Sequence, residues 1–336
     1  MTKTMAKTMQ SASSNVVTWQ APSPSAGQAP SAGPAASPSA PPAWLDRQAY
    51  PFASRWLDVG PGRLHYVDEG GDDTGSKPVI LFVHGTPTWS FEFRHLITAL
   101  CATHRCVAVD HLGFGLSDRP ADADYGPVAH ADRLRRFVDT LGLTSFTLVV
   151  HDFGGPIGLP LALDDSQRAG ARVRVQRLVV LNSWMWSFTD DPEMTKRARM
   201  AAGGLGKFLY RGMNASLKLI MPSAYGDKRK LTKSIHQQYL AVFPDADGRE
   251  RILFALARAL SGAAAHYDDL WNKRDRLAKI PMLIVWGMKD SAFRPHQLDK
   301  WRAATPHARV VELPNAGHWP HEEDPDAVLN AIRAWL

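Results

Sequence analysis

Residues 146–155 read FTLVVHDFGG, a largely apolar run followed by a polar pair, an aromatic residue and two glycines. The run from Phe146 to Val150 is apolar enough to form a strand that is buried on both faces of a parallel sheet. The two glycines permit a tight turn into a helix, and a strand–turn–helix unit of this kind exposes the side chain at its apex. We therefore predict that Asp152 is a nucleophile at the end of a central strand. An Asp that only caps the following helix is the alternative.

Similar strand–helix units flank this stretch on both sides. Repeated units of this kind predict the α/β class, with a mostly parallel, eight-stranded sheet between helices. Ligand sites in such sheets lie beyond the carboxyl ends of the strands. Apart from the strand at 146–150, strands are predicted at residues 56–59, 64–67, 79–83, 106–109, 178–181, 282–286 and 310–313.

Changes in composition divide the chain into three parts. Residues 1–43 contain a stretch rich in Ser, Ala, Pro and Gly, which predicts a disordered tail. Residues 184–276 lose the strand–helix alternation, which predicts an inserted helical cap. The core domain is then formed by residues 44–183 and 277–336.

Two further polar residues follow predicted strands in the last part of the chain. Asp290 lies just beyond the strand at 282–286, and His318 lies beyond the next strand. Nucleophile, acid and histidine in this order are typical of hydrolases with a nucleophile elbow. A carboxylate is ionised at neutral pH and suits displacement at a saturated carbon, which would leave an alkyl ester on Asp152. His318, oriented by Asp290, would then activate the water that hydrolyses the ester.

An oxyanion hole is predicted from two backbone N–H groups. The residue after the nucleophile, Phe153, supplies one of them, and Thr86 in the loop His84-Gly85-Thr86-Pro87 supplies the other. These groups would stabilise the negative charge that develops on the ester oxygen during hydrolysis.

Composition and charge exclude several other classes of function. The formal net charge of +6 is spread along the chain without a long basic stripe, so no nucleic acid partner is expected. No apolar run reaches the ~18 residues of a membrane span, and the N-terminus lacks the apolar region of a secretory signal. Two cysteines, Cys101 and Cys106, have no metal-site spacing and predict free thiols in a reducing compartment. We expect a cytoplasmic protein.

The sequence resembles the haloalkane dehalogenase family, in the branch of the α/β-hydrolases with an Asp nucleophile that also contains epoxide hydrolases. The resemblance extends from about Tyr50 to Leu336 and rests on residues 63–70, 84–90, 110–120, 151–155, 286–290 and 317–318. It implies an α/β-hydrolase fold, no cofactor or metal, and hydrolysis of haloalkanes to alcohol and halide. The implied catalytic residues are Asp152, Asp290 and His318.

The chain departs from the family at the two residues that usually donate hydrogen bonds to the halide. Phe153 replaces a Trp, and Thr86 stands where many members have Asn. We hypothesise that an indole from the start of the cap, Trp184 or Trp186, replaces the missing donor. Trp89 is a further candidate for the pocket, and packing in the cap core is the alternative for Trp184 and Trp186.

Three other functions stay open at this point. Epoxide hydrolysis would need cap tyrosines to protonate the leaving oxygen, and β-lactone opening would use the same nucleophile. A ligand-binding protein without activity is a third alternative, since fold does not determine function. The expected partners are a small apolar substrate and water, bound by a monomer or small homo-oligomer. The tyrosines available by position are Tyr210, Tyr225, Tyr239 and Tyr267.

Overall fold

The computed structural model describes residues 41–72, 75–165 and 173–336. Of the predicted disordered tail at residues 1–43, only the last three residues lie within these ranges. Strands and helices alternate along the described chain up to Ser183 and again after Met282. The predicted α/β class is therefore confirmed.

Eight strands form a single sheet, in the spatial order β1-β2-β4-β3-β5-β6-β7-β8. β1 pairs with β2, and β2 with β4, in antiparallel register, and all other neighbours in the sheet are parallel. This arrangement confirms the predicted mostly parallel sheet. The strands are β1 (Arg55–Asp58), β2 (Arg63–Glu69), β3 (Val79–Val83), β4 (Arg105–Val109), β5 (Ser145–Asp152), β6 (Arg174–Ser183), β7 (Met282–Gly287) and β8 (Arg309–Leu313).

β5 lies in the middle of the sheet, between β3 and β6. Every residue of β5 after Ser145 is buried, as expected for a strand that is covered on both faces. The register against β6 shifts between His151 and Asp152, because the strand turns out of the ladder as it ends. The sequence FTLVVHD thus places Asp152 at the carboxyl edge of the sheet's centre.

The described residues contain thirteen α-helices in addition to the sheet. Short 3₁₀ or π segments cover Ser90–Phe93, Leu161–Asp165, Ser216–Ile220, Lys228–Lys230, Arg249–Leu253 and Arg274–Lys279. The α-helices are α1 (Arg94–Leu100), α2 (Pro127–Thr140), α3 (Gly154–Pro160), α4 (Pro192–Ala202), α5 (Gly204–Met213), α6 (Met221–Ala224), α7 (Lys233–Leu240), α8 (Ala246–Gly248), α9 (Phe254–Gly262), α10 (Ala264–Asn272), α11 (Pro295–Ala304), α12 (Pro320–Glu323) and α13 (Pro325–Arg333).

The chain between β6 and β7, which is fully described, contains helices α4 to α10 and no strand. Two of these helices begin at side-chain caps that the sequence supplies. Asp191 accepts the N–H of Met194 at the start of α4, and Thr232 accepts the N–H of Ile235 at the start of α7. The description of residues 184–276 as a cap stays a prediction.

No helix in the described part of the chain is both long and apolar enough to cross a membrane. Both cysteines are free thiols, with Cys101 partly exposed and Cys106 buried. Because the sheet and its helices already enclose a large apolar core, the fold does not depend on a disulfide.

Candidate active site

Asp152 has a left-handed backbone, with a φ of +50°. A residue other than glycine rarely adopts this conformation, and it marks a strained turn. The turn is possible because Gly154 and Gly155 pack tightly: an added Cβ would lie 2.0 Å from the carbonyl oxygen of Val83 and 2.1 Å from Ser183 Oγ, respectively. The structure therefore contains the sharp strand–turn–helix element that the sequence predicts around Asp152.

The three predicted catalytic side chains converge at the carboxyl edge of the sheet. His318 Nδ1 lies 2.7 Å from Asp290 Oδ2, and His318 Nε2 lies 3.4 Å from Asp152 Oδ2. All three residues are buried. They reach one point because β5, β7 and β8 are parallel, so the loops that follow these strands meet at the same edge.

Asp290 receives hydrogen bonds on both carboxylate oxygens. Oδ1 accepts the backbone N–H groups of Ala292 and Phe293 at 2.6 and 3.0 Å, while Oδ2 accepts the side-chain amide of Asn182 at 2.8 Å and faces His318. These donors fix the orientation of the carboxylate. Asp290 can therefore orient the imidazole and stabilise its protonated state.

Asn182 was not singled out from the sequence. Its side-chain oxygen accepts the N–H of Gly287 at 2.8 Å, so the same amide joins β6 to β7 and holds Asp290. The signal that was available is its position, since Asn182 is a polar residue near the carboxyl end of a buried strand. We assign Asn182 a positioning role.

The charges around His318 control its protonation. Burial disfavours the protonated ring, but the negative charges and hydrogen bonds of Asp290 and Asp152 outweigh it and raise the pKa of His318 to about 10. Asp290 and Asp152 thus favour the protonated form of the ring in the free protein. Esterification of Asp152 would remove one of the two charges and lower this pKa, which would release the ring to act as a base.

The loop after β3 contacts the carboxylate of Asp152 directly. The N–H of Thr86 donates to Asp152 Oδ1 at 2.8 Å. Gly85 leaves room for this contact, since a Cβ there would lie 2.2 Å from Oδ1 and 2.6 Å from the nitrogen of Phe153. Of the two predicted oxyanion-hole groups, the Thr86 N–H thus contacts Oδ1, and the Phe153 nitrogen lies close to the same Gly85 backbone.

Aromatic rings lie around the three side chains, and their contacts distinguish Trp184 from Trp186. The Trp184 ring packs 4.8 Å from the rings of Phe153 and Phe293, and Phe293 lies 5.4 Å from the ring of His318. The indole nitrogen of Trp184 is buried without a hydrogen-bond partner. Trp186 instead donates its indole N–H to Gln297 at 2.8 Å.

Trp89 lies in a different environment. Its ring packs against Trp44, Tyr50 and Phe91, with centroid distances of 4.9 to 5.9 Å. These neighbours come from the segment before β1 and the turn after β3. Trp89 thus lies in an aromatic cluster, where its indole nitrogen is also buried without a partner, while Trp184 lies beside Phe153, the residue that follows Asp152.

The four tyrosines between β6 and β7 also differ in their contacts. Tyr239 donates to Glu322 at 2.5 Å, Tyr267 donates to the carbonyl of Ala259 at 3.0 Å, and Tyr225 stacks on Trp319. Burial raises the pKa of Tyr210 to about 12, and the charge of Asp152 contributes to the increase. The charge of Asp152 also raises the pKa of Tyr267, so both Tyr210 and Tyr267 interact with Asp152.

Comparisons with known proteins agree with this arrangement. A family model described as alpha/beta hydrolase fold matches residues 78–325. Haloalkane dehalogenase 2 of Mycobacterium tuberculosis is 37% identical over 288 residues, which cover 85% of this chain and 96% of that protein. A cis-3-alkyl-4-alkyloxetan-2-one decarboxylase of Shewanella oneidensis is 36% identical over 295 residues, covering 85% of this chain and 89% of that protein.

A solved structure shows the same fold. The haloalkane dehalogenase DbeA from Bradyrhizobium elkani superposes with a TM-score of 0.73 at 24% identity, over 84% of this chain and 97% of that one. At this identity the structural match supports the fold, while the sequence relatives and the family model establish the family. The chain is a hydrolase with the α/β-hydrolase fold and belongs to the haloalkane dehalogenase family.

Proposed function

We propose that the chain hydrolyses haloalkanes to an alcohol and a halide through an alkyl ester on Asp152. The observation that carries the proposal is the position of His318, with Nδ1 at 2.7 Å from Asp290 and Nε2 at 3.4 Å from Asp152. A carboxylate in the nucleophile position, with an oriented histidine beside it, fits displacement at carbon followed by hydrolysis of an ester.

In the first step, Asp152 Oδ2 attacks the carbon that carries the halogen. A C–O bond forms while the carbon–halogen bond breaks, and the halide leaves with the bonding electrons. Thr86 holds Oδ1 by a hydrogen bond of 2.8 Å and so directs Oδ2 toward the substrate. A carboxylate is a nucleophile in its own right, so this attack needs no general base.

In the second step, His318 takes a proton from water, and the water oxygen attacks the ester carbonyl carbon of Asp152. The negative charge develops on Oδ1, where the Thr86 N–H already points and the Phe153 nitrogen lies nearby. When the tetrahedral intermediate collapses, the bond to the alkoxide oxygen breaks and His318 returns the proton to the alcohol. Asp152 then carries one oxygen from water.

We propose that the indole N–H of Trp184 donates a hydrogen bond to the departing halide. Its N–H is buried and unpartnered, and its ring packs against Phe153, which stands where the family usually has a Trp. A buried donor without a partner gains more from binding an anion than one that is already paired. The indole of Trp184 would thus restore the hydrogen bond that Phe153 cannot make.

Replacing Trp184 by Phe is expected to lower kcat/KM for bromoalkanes roughly 10- to 100-fold, the effect of one lost donor to a developing charge. The matched control is Trp186→Phe, which removes an indole that already donates to Gln297. The measurement is halide release from 1-bromobutane by both variants, and only the Trp184 variant should lose activity. Equal losses in the two variants would contradict the role of Trp184.

The pH dependence of the two steps should differ. The ester step needs a neutral His318, so kcat is expected to fall as the pH drops below the pKa of His318 in the ester, which lies below the value of about 10 in the free protein. The first step needs only the carboxylate. At about pH 5, stopped-flow measurement should show one equivalent of halide per site released rapidly, followed by slow turnover. Parallel loss of both phases would contradict this assignment.

β-Lactone opening is the second candidate. Its support is the 36% identity to a cis-3-alkyl-4-alkyloxetan-2-one decarboxylase, together with the absence of side-chain N–H donors at Thr86 and Phe153. In a strained lactone the leaving group is a carboxylate tethered to the substrate, so a dedicated halide site is unnecessary. Asp152 would attack the saturated ring carbon bonded to the ring oxygen, and that C–O bond would break to give a carboxylate and an ester on Asp152. Loss of carbon dioxide from this carboxylate would form a C=C bond and expel the Asp152 carboxylate.

The experiment that tests the proposal compares substrates on one preparation. Halide release from 1-bromobutane and 1,2-dibromoethane is measured beside hydrolysis of styrene oxide and consumption of a dialkyl oxetan-2-one, each with an Asp152→Asn control. Halide release that needs Asp152 supports the dehalogenase. Release of carbon dioxide from the oxetanone without any halide release would place the second candidate first, and diol formation alone would favour the epoxide alternative.

A further inference from the structure

One stretch of the chain presents several large apolar side chains to solvent. Seven such side chains are exposed in the described residues, and six of them belong to residues 200–220. Leu205 and Phe208 on α5 are 66% and 63% exposed. A single exposed apolar side chain is ordinary, but a group of them indicates an interaction site. The group, called the α5 surface below, consists of Met200, Leu205, Phe208, Met213, Leu219 and Ile220.

Helix α5 turns an apolar face outward. Leu205, Phe208 and Gly212 follow one another at intervals of three and four residues, so they share one face of the helix, and all three are exposed. The Phe208 ring lies over Gly212, where an added Cβ would be 3.7 Å from it. Lys207 lies on the other side and pairs with Glu250 at 2.6 Å. Since a surface helix usually buries its apolar face in its own protein, this orientation indicates a binding partner.

The same stretch carries only positive charge. Residues 194–226 contain six Lys or Arg residues and no Asp or Glu. Three of the six pair with carboxylates from outside the stretch, namely Arg197, Lys207 and Arg211. The other three are exposed and form no ion pair with any described residue, and they are Lys196, Arg199 and Lys218. A partner that supplies negative charge would therefore complement this stretch.

The unpaired cations lie at both ends of the α5 surface. Lys196 is one helical turn before Met200 on α4, and Lys218 directly precedes Leu219. Helices α4 and α5 meet closely, since an added Cβ on Gly206 would lie 2.7 Å from the carbonyl oxygen of Met200. Protruding apolar side chains flanked by cations match the boundary of an anionic bilayer, where acyl chains contact the former and headgroups the latter.

We propose that the α5 surface docks on an anionic membrane surface, with Leu205 and Phe208 in contact with acyl chains and the three unpaired cations at the headgroups. Docking of this kind is peripheral and needs no spanning helix. A second copy of this chain is a poorer partner, because a two-fold interface would bring the same cations against one another. A fluid bilayer also accepts protruding side chains without the shape complementarity that a protein interface needs.

Helix α5 also connects this surface with the active site. Tyr210, on the same helix, is close enough to Asp152 that the charge of the carboxylate contributes to the raised pKa of the phenol. A docked molecule would thus hold its active site near the bilayer, where apolar compounds concentrate. This consequence rests on the proposed function, whereas the docking itself does not.

The test is binding to vesicles of phosphatidylcholine with and without phosphatidylserine, measured by sedimentation. We expect binding to the anionic vesicles that weakens with added salt, and little binding to the neutral ones. The Leu205→Ser/Phe208→Ser double variant should bind at least roughly tenfold more weakly. The matched control is Val128→Ser, which changes the exposed apolar side chain on α2 and should bind like the parent. The melting temperatures should stay close to that of the parent, because all three side chains are exposed.

A second pair of variants tests the charge. Lys218→Gln is expected to weaken binding to the anionic vesicles roughly fivefold, the effect of one cation at the headgroups. Lys279→Gln is the matched control, because Lys279 is exposed and lies shortly before β7, at the amino edge of the sheet. That variant should bind like the parent.

These assays contain no substrate, so they test docking independently of the proposed function. Absence of binding to the anionic vesicles would overturn the proposal, and so would equal binding by the parent and the Leu205→Ser/Phe208→Ser variant. A dimer in analytical ultracentrifugation that Phe208→Ser dissociates would assign the α5 surface to a second copy of the chain, which would also overturn the proposal.

Discussion

Replacing Asp152 by Asn is expected to lower kcat/KM by at least about 10⁴-fold on every substrate of the protein. The amide is a poor nucleophile, so the ester cannot form. Asp290, the other carboxylate that contacts His318 closely, cannot attack in its stead because donors or His318 occupy both of its oxygens. Asn is the right replacement because it tolerates the φ of +50° better than Ala does.

The measurement is halide release, with the melting temperature as the control for folding. The variant should bind substrate and melt close to the parent protein, because Asn can still accept the N–H of Thr86 through its side-chain oxygen. Activity within tenfold of the parent would show that Asp152 is a helix cap and not the nucleophile.

Replacing His318 by Gln is expected to stop the reaction halfway. Gln cannot take a proton from water, so hydrolysis of the ester should slow by about 10³-fold or more, while attack by Asp152 continues. One equivalent of halide per site should be released and then no more. Mass spectrometry of the variant after 1-bromobutane should show one added butyl group, located on the peptide that contains Asp152.

The Asp152→Asn variant should fail at ester formation and the His318→Gln variant at ester hydrolysis. This difference distinguishes the covalent mechanism from direct attack of water on the substrate. If His318 activated water to displace the halide itself, the Gln variant would release no halide and carry no adduct. A variant that turns over at the parent rate would contradict the role of His318 altogether.

The parts of the site that could be predicted from the sequence are those encoded next to a strand. Asp152, Asp290 and His318 each follow an apolar run, and parallel strands bring such loops to the same edge. The turn at Asp152 could be predicted because its two glycines lie within three residues of Asp152 in the chain. The sheet could be predicted because most of its strands are short apolar runs bounded by turns.

The parts that could not be predicted depend on contacts between distant segments. Trp184 and Trp186 are two residues apart and look equivalent in sequence, but Gln297 occupies the N–H of one of them and leaves the other free. Asn182 and Asp290 are 108 residues apart. The contact between Glu92 and His151 likewise joins a turn to a strand. The sequence around either residue does not predict this contact.

The measurement that tests the covalent mechanism most directly is a single turnover in water labelled with oxygen-18, with the protein in excess over 1-bromobutane. The account predicts that the butanol carries unlabelled oxygen, because that atom comes from Asp152 Oδ2, and that the label appears in the peptide containing Asp152. Labelled butanol together with an unlabelled peptide would mean that water attacks the substrate directly, and the assignment of Asp152 as nucleophile would be wrong.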